Sequence, residues 1–446
     1  MSITRALAAG ALAVTAVTAQ AQQPKRITFS DAIAIALEQN VAVRQAKNAA
    51  VLGENAVDQQ RSQRLPDLRL SVSGANNVGR NFSQSDGAIV NQQTQSLSTG
   101  VSSSLTLFDG GKLTSNIRSA QASQEASALD LTRAKQTAVF TVASDFVALA
   151  NQREQLRVQT ENLSAQEAQE AFVKQLVNAG SRPVADLYQQ QASVASARLA
   201  VVQAKRAVEL ANIDLIQALQ LEASGTYDFV TPAAAADTSA VTPSLDALIA
   251  RALDKRSDLD AGEARVASAD QDIRAAQAAR LPTISLSGSY SSAYSSAADL
   301  SLSSQLDQRR GGSVGIGISI PVFDRGATSL AEQRAKIAAD NERIAFESSK
   351  QSIALEVRRA YLDRTSAAEQ LASANAQLTS AAMALEMTQQ RYRAGAATLV
   401  EVTQARAQQV QAASAVVTAQ YNLLLQQTVM SYYTGELDPA AAKLGR

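Results

Sequence analysis

The chain of 446 residues contains no cysteine, no histidine and no tryptophan. These absences exclude disulfide staples, thiol nucleophiles, histidine acid–base chemistry, Ser-His-Asp triads and ordinary zinc sites. Charge of either sign is not in excess, since 41 basic residues balance 41 acidic ones. No basic stripe is present to recruit nucleic acid. Proline occurs only 8 times, so long stretches lack a helix breaker. Beyond the N-terminal segment no run of about 18 apolar residues exists to form a membrane-spanning helix. Gly110-Gly111 and Gly311-Gly312 lack the Lys-Ser/Thr that a phosphate loop requires. No cofactor, metal or catalytic site is expected, and the chain does not read as an enzyme.

What is present is a pattern written twice. After Arg64-Leu65-Pro66, Leu68, Leu70 and Val72 alternate with Arg69, Ser71 and Ser73. Leu97, Val101, Leu105 and Leu107 then alternate with small polar residues including Ser102, closing at Phe108-Asp109-Gly110-Gly111. After Arg280-Leu281-Pro282 the same arrangement returns. Ile284 and Leu286 alternate with Ser285 and Ser287, and Val314, Ile316 and Ile318 with Gly315, Gly317 and Ser319, ending at Phe323-Asp324-Arg325-Gly326. The two prolines, Pro66 and Pro282, lie 216 positions apart, and Phe108 and Phe323 lie 215 apart. Period-two alternation is the mark of strands, so each half holds a hairpin with one apolar and one small polar face.

The chain therefore divides as follows. Residues 1–21 read as a signal peptide, with Arg5 before an apolar stretch and Ala19-Gln20-Ala21 at the cleavage position. No cysteine follows the cut, so no lipid anchor is expected. The first repeat covers 22–225: a helix capped by Ser30-Asp31, a second helix ended by Pro66, hairpin strands at about 67–78 and 95–108, a long helix at 112–178 and a return helix at 184–221. The polar segment Asn76–Asn91 reads as a loop between the strands. Residues 226–243 form an inter-repeat segment. The second repeat covers 244–435, with strands at about 283–294 and 312–323, a polar loop from Ser295 to Arg310, a long helix at 328–393 and a return helix at 398–433. Residues 436–446 form a tail. Heptad spacing marks Leu149, Leu156 and Leu163, then Leu330, Ile337 and Ile344, then Leu371, Leu378, Leu385 and Tyr392, as coiled-coil seams. Asp109 and Asp324 look like paired carboxylates but sit in turns that cap the next helix.

A helix of 67 residues spans ~100 Å, more than a globular domain uses. Four amphiphilic strands of bilayer length leave two open edges, which lipid does not tolerate, so closure requires further copies. A dimer gives eight strands with a filled interior; a trimer gives twelve and room for a pore. The positions facing such a lumen are Arg69, Ser71, Ser102, Ser285, Ser287 and Gly317. Phe82 and Tyr294 on the loop side, with Phe108 and Phe323 on the helix side, suit interfacial girdles. A soluble β-sandwich, a secreted trimeric coiled coil without a pore (structural or adhesive) and a periplasmic adaptor are the competing readings.

The ordered set of helix, Arg-Leu-Pro, hairpin, Phe-Asp-x-Gly, long helix, glycine turn and return helix, repeated behind a signal, resembles the TolC-type outer-membrane efflux family over about Thr28 to Gly435. The resemblance implies an α+β membrane protein: a homotrimer with a twelve-stranded transmembrane β-barrel, four strands per chain, continued by a periplasmic α-helical barrel. It implies an exit duct for efflux or type I secretion, in outer-membrane lipid of a Gram-negative bacterium. It also implies a periplasmic adaptor (membrane fusion) protein and an inner-membrane transporter of RND, ABC or MFS type. The helical turns would be docking tips, at Asn178, Gly180 and Ser181 and at Arg393, Gly395 and Ala396. Asp186, Glu401 and Gln404 would line the gate, with Glu401 forming an acidic ring that favours cations. Gln404 and Ala397 depart from the family pattern, which has a second acid and, in some members, an arginine at those positions. Arg182 or Arg393 pairing with Asp186 or Glu401 would be a substitute lock.

Overall fold

In a computed structural model the described residues are 25–83, 87–231 and 243–437. The expected signal peptide, most of the inter-repeat segment and most of the tail lie outside them. Two short strands, β1 (Lys25–Thr28) and β4 (Tyr227–Val230), pair in parallel and place Ile27 opposite Phe229. Between them in sequence come α1 (Phe29–Gln39), α2 (Val41–Ser62), β2 (Arg69–Ser83), β3 (Ala88–Phe108), α3 (Lys112–Asn178) and α4 (Val184–Ala218). After β4 follow α5 (Leu245–Lys255), α6 (Ser257–Ala278), β5 (Thr283–Ser295), α7 (Leu302–Gln308), β6 (Gly311–Ser319), α8 (Ala327–Arg393) and α9 (Leu399–Tyr433).

The repeat is kept element by element. Both long helices have 67 residues and both return helices 35, and each second copy starts 215 positions after the first. The first helix starts at a capping box formed by Thr28 with Asp31, not at Ser30-Asp31. Threonine precedes the first helical residue, so its hydroxyl meets the Asp31 amide three residues on. Each long helix starts at a glycine with positive φ, Gly111 at 89° and Gly326 at 79°. Asp109 accepts hydrogen bonds from the Gly111 amide (3.1 Å) and the Leu113 amide (2.7 Å). Asp324 does the same with Gly326 (2.9 Å) and Thr328 (2.8 Å). Both carboxylates thus satisfy helix-start donors.

The two hairpins join into one antiparallel sheet in the order β2-β3-β5-β6. Register places Leu70, Val101 and Tyr290 side by side, and Leu105, Leu286 and Ile316 likewise. A bulge between Thr106 and Phe108 swings Phe108 level with Ile284 and Ile318 on this apolar face. Most of the face is bare, with Val314 83% exposed and Leu70 76%; among the described elements only α7 lies against it, where the Ser292 hydroxyl donates to Leu306 O at 2.6 Å.

Four expectations about the hairpins need correction. The polar segment 76–91 is largely strand, because β2 and β3 remain paired up to Ser83 and Ala88. Polar residues sustain a ladder whose hydrogen bonds are all backbone to backbone. The other loop contains α7, fixed by the fully buried Gln305, whose amide donates to the carbonyls of Ser295 (3.0 Å) and Leu300 (2.8 Å) and accepts from the Ser295 amide (2.9 Å). Strand β6 stops at Ser319, short of Pro321, which cannot donate to a ladder. Because the β2–β3 ladder runs on to Ser83 and Ala88, Phe82, paired with Ile89, does not share a girdle with Tyr294, paired with Leu97. At ~3.3 Å per residue it sits roughly 25 Å further along the ribbon.

Below the sheet, α3 packs against α2, α4, α6 and α9, and α8 against α5, α6 and α9. One core joins β1, α1, α3, α4 and β4 around Phe146, Leu149, Leu215 and Phe229; its counterpart joins α5, α6, α8 and α9 around Ile353, Val357 and Met430. No helix among the described residues is long and apolar enough to cross a membrane.

Candidate functional site: the helical tips and the polar sheet face

Each long helix ends in the same turn. The Gly180 amide donates to Val177 O (2.9 Å) and the Ser181 amide to Leu176 O (3.0 Å). Gly395 and Ala396 repeat this with Tyr392 O (3.1 Å) and Arg391 O (2.8 Å). This paired closure needs a left-handed residue, supplied by Gly180 at φ 72° and Gly395 at φ 76°. Asn178, Gly180, Ser181, Arg393, Gly395 and Ala396 are all exposed at these ends.

The two tips are held against each other by an apolar cluster of Val173, Tyr392, Ala397, Leu399 and Val402. Ala397 is buried there as a packing residue. Arg182 reaches across from the first tip, donating to Tyr392 O at 3.0 Å, with its guanidinium 4.4 Å from the Tyr392 ring centroid. Such a contact supplies both a hydrogen bond and a cation–π attraction. Burial raises the Tyr392 pKa, Arg182 opposing and Asp186 adding to it. The expected substitute lock is therefore not formed by Arg182, which binds Tyr392, nor by Arg393. The cation beside Glu401 is Arg391, at 3.6 Å, because residues two apart on a helix point in different directions.

Glu401 completes a capping box. Its carboxylate accepts from the Thr398 amide (3.2 Å) and hydroxyl (3.0 Å), while its amide donates to the Thr398 hydroxyl (3.3 Å). These hydrogen bonds, aided by Arg391, lower its pKa. Asp186 is half-buried in the first turn of α4, and Gln404 is exposed one turn beyond Glu401. Sequence reasoning missed Arg182, Arg391 and Tyr392 as a set. The Thr-x-x-Glu spacing of the cap was readable.

On the sheet, Arg69 lies opposite Ser102, Ser71 opposite Gly100, Ser285 opposite Gly317 and Thr106, and Ser287 opposite Ser104 and Gly315. All six expected lumen residues thus share one face. Its hydroxyls pair with one another, Ser73 with Ser98 at 2.7 Å and Ser289 with Ser313 at 3.0 Å. Arg69 is paired with Asp67 at 2.8 Å. The Asp67 carboxylate also accepts from the Ser104 amide (2.6 Å) and hydroxyl (2.8 Å).

An open sheet with one bare apolar face, set on helices of ~100 Å, defines a class: a membrane channel with a long helical extension. The family model described as outer membrane efflux protein matches residues 32–220 and 248–436, one match to each repeat, and the chain belongs to that family. The pyoverdine export outer membrane protein OpmQ of Pseudomonas aeruginosa is 28% identical over 81% of this chain and 73% of its own length. The outer membrane efflux protein BepC of Brucella suis is 23% identical over 76% and 72%. In fold, the chain superposes on CusC with a TM-score of 0.79 at 22% identity, covering 91% of this chain and 92% of the other. The protein is thus an outer-membrane exit duct for efflux that extends into the periplasm. The family is one of channels rather than enzymes, and the pore-less coiled coil and the adaptor are not supported.

Proposed function

We propose that three copies close the sheet into a twelve-stranded barrel in outer-membrane lipid, with twelve long helices continuing it as a tube across the periplasm. The supporting observation is the open sheet: β2 and β6 each pair on one side only, and the apolar face is exposed. Lipid requires a closed ladder and accepts an apolar outer face. The helices agree, since the seam Leu330, Ile337 and Ile344 is 53, 63 and 61% exposed in the single chain. Exposed Leu199, Val202 and Ile213 on α4 supply an apolar surface for it in the next copy.

In this reading Arg69, Ser71, Ser102, Ser285, Ser287 and Gly317 face the lumen. A periplasmic adaptor docks on the exposed tips at Asn178, Gly180, Ser181, Arg393, Gly395 and Ala396. Asp186, Glu401 and Gln404 stand at the aperture. An inner-membrane transporter of RND, ABC or MFS type supplies the energy for solutes or, in type I secretion, unfolded polypeptide. Detergent-extracted protein is expected at three times the chain mass by light scattering, with steady single-channel conductance in a planar bilayer. A monomer that stays in solution without detergent overturns the proposal.

A further inference from the structure

The segment between β5 and β6 folds back on the sheet, and strand register fixes which face it meets. Along β5, Leu286, Gly288, Tyr290, Ser292 and Tyr294 point to one side, the side of Leu105 and Ile316. The Ser292 hydroxyl donates to Leu306 O at 2.6 Å. Helix α7 therefore lies on the apolar face and not on the serine face. Its height is fixed as well. Ser292 is level with Thr99 and Val72, and Tyr294 with Leu97 and Gly74. Beyond them the same face carries Asn76 with Gln95, Val78 with Gln93 and Arg80 with Asn91. The contact sits at the rim where the apolar band gives way to polar residues.

The segment is built for a site poor in water. Gln305 is fully buried, and its amide group serves Ser295 O, Leu300 O and the Ser295 amide. Ser301 caps the helix by accepting from the Ser304 amide at 3.3 Å. Backbone groups at the edge of a bilayer need such internal partners. The outer surface of the segment is mixed. Leu300 and Leu302 are 45% and 47% exposed, beside exposed Ser303, Gln308 and Arg309. Arg310 pairs with Asp307 at 3.0 Å, whereas Arg309 has no acid partner among the described residues. Apolar and cationic side chains together on one short helix suit a headgroup layer.

Resting on the reading of the sheet as a barrel with its apolar face in lipid, we propose that α7 is an external foot on the barrel wall, seated among outer-leaflet headgroups and holding a phosphorylated glycolipid. The hairpin ends lie opposite the periplasmic helices, so this rim belongs to the outer leaflet, where such glycolipid is the main component. Leu300 and Leu302 enter the upper acyl layer, and the Arg309 fork takes a phosphate. On that wall α7 stands outside the pore and does not plug it.

The chain has no tryptophan, so a single introduced one reports its own surroundings. In phosphatidylcholine vesicles Leu302→Trp is expected to be quenched more by lipid brominated near the headgroup than by lipid brominated near the chain end. Leu286→Trp, roughly 20 Å down the same strand face from Ser292, should show the reverse order. Ser303→Trp reads the same helix if Leu302→Trp does not assemble. Quenching of Leu286→Trp without quenching on α7 overturns the foot alone; no quenching of either overturns the barrel reading beneath it. Lipid A titrated in detergent, followed by the Leu302→Trp emission, is expected to bind about five-fold more weakly when Arg309→Gln is added. Equal binding overturns the phosphate contact. Competition by inorganic phosphate overturns the glycolipid assignment, by making Arg309 a site for the free ion.

Discussion

Tyr392 is 2% exposed and its hydroxyl is buried without a partner in the single chain. Leaving such a group unsatisfied costs about 1–3 kcal/mol. Tyr392→Phe is therefore expected to keep or raise the thermal midpoint of the tip, and a clear loss means that a neighbouring subunit supplies an acceptor. Tyr392→Ala removes the ring that Arg182 covers and empties the cluster, at a cost of roughly 3–5 kcal/mol. Glu401 gives a pH test. Its folded pKa lies below the ordinary value, so its contribution is complete above pH ~4.5 and lost as pH falls through the folded value. Helix α9 should fray at its start once the pH falls below the ordinary carboxylate range, seen as faster amide exchange at residues 399–402; Glu401→Gln should remove the acid dependence. The cap was legible as Thr398-x-x-Glu401. The Arg182–Tyr392 contact was not, because it joins residues 210 positions apart that only tertiary packing brings together.

Among the elements, the long helices were the most legible, since a stretch from Lys112 to Asn178 without proline or glycine has little else to form. The β2–β3 ribbon was the least. Its outer part reads as loop by composition, yet Asn76–Ser83 and Ala88–Gln95 pair almost entirely with each other. Backbone ladder bonds carry no sequence signature, which is why composition misled there. Because this ribbon extends beyond β6, replacing residues 78–91 by a short turn should leave barrel assembly and conductance intact. Loss of the heat-resistant oligomer on gels would show that the ribbon belongs to the barrel wall. Helix α3 carries a second test in Asp145, whose pKa is pushed up to about 6, first by burial and then by the nearby Asp214. For an acid raised in the folded state, stability is present at low pH and lost as pH rises through about 6. Asp145→Asn should thus stabilise the helical body at pH 8 by about 1 kcal/mol, after allowing for partial solvent screening, and have little effect at pH 4.5.

At the scale of the whole molecule, the duplication decides the architecture. A single hairpin with its helices has two edges and two bare faces; two of them share one edge through β3 and β5, and the remaining edges ask for further copies of the chain. In the proposed trimer, the exposed helix seam is where those copies meet. The seam at Leu371, Leu385 and Tyr392 is buried within the chain, whereas the seam at Leu330, Ile337 and Ile344 is not. Heptad spacing was legible for both, but which one waits for a neighbour depends on the path of α9 and could not be read from spacing alone. Ile337→Lys places a charge in the unpartnered seam, where burial beside another apolar helix is unfavourable without a counter-ion. The expected outcome is a chain with wild-type helix content by circular dichroism that fails to form the trimer in detergent and gives no conductance. Leu371→Lys, made in the internal seam, should instead lower helix content in the single chain. If Ile337→Lys assembles as well as wild type, the subunits meet along another face, and the tube must be rebuilt from that contact.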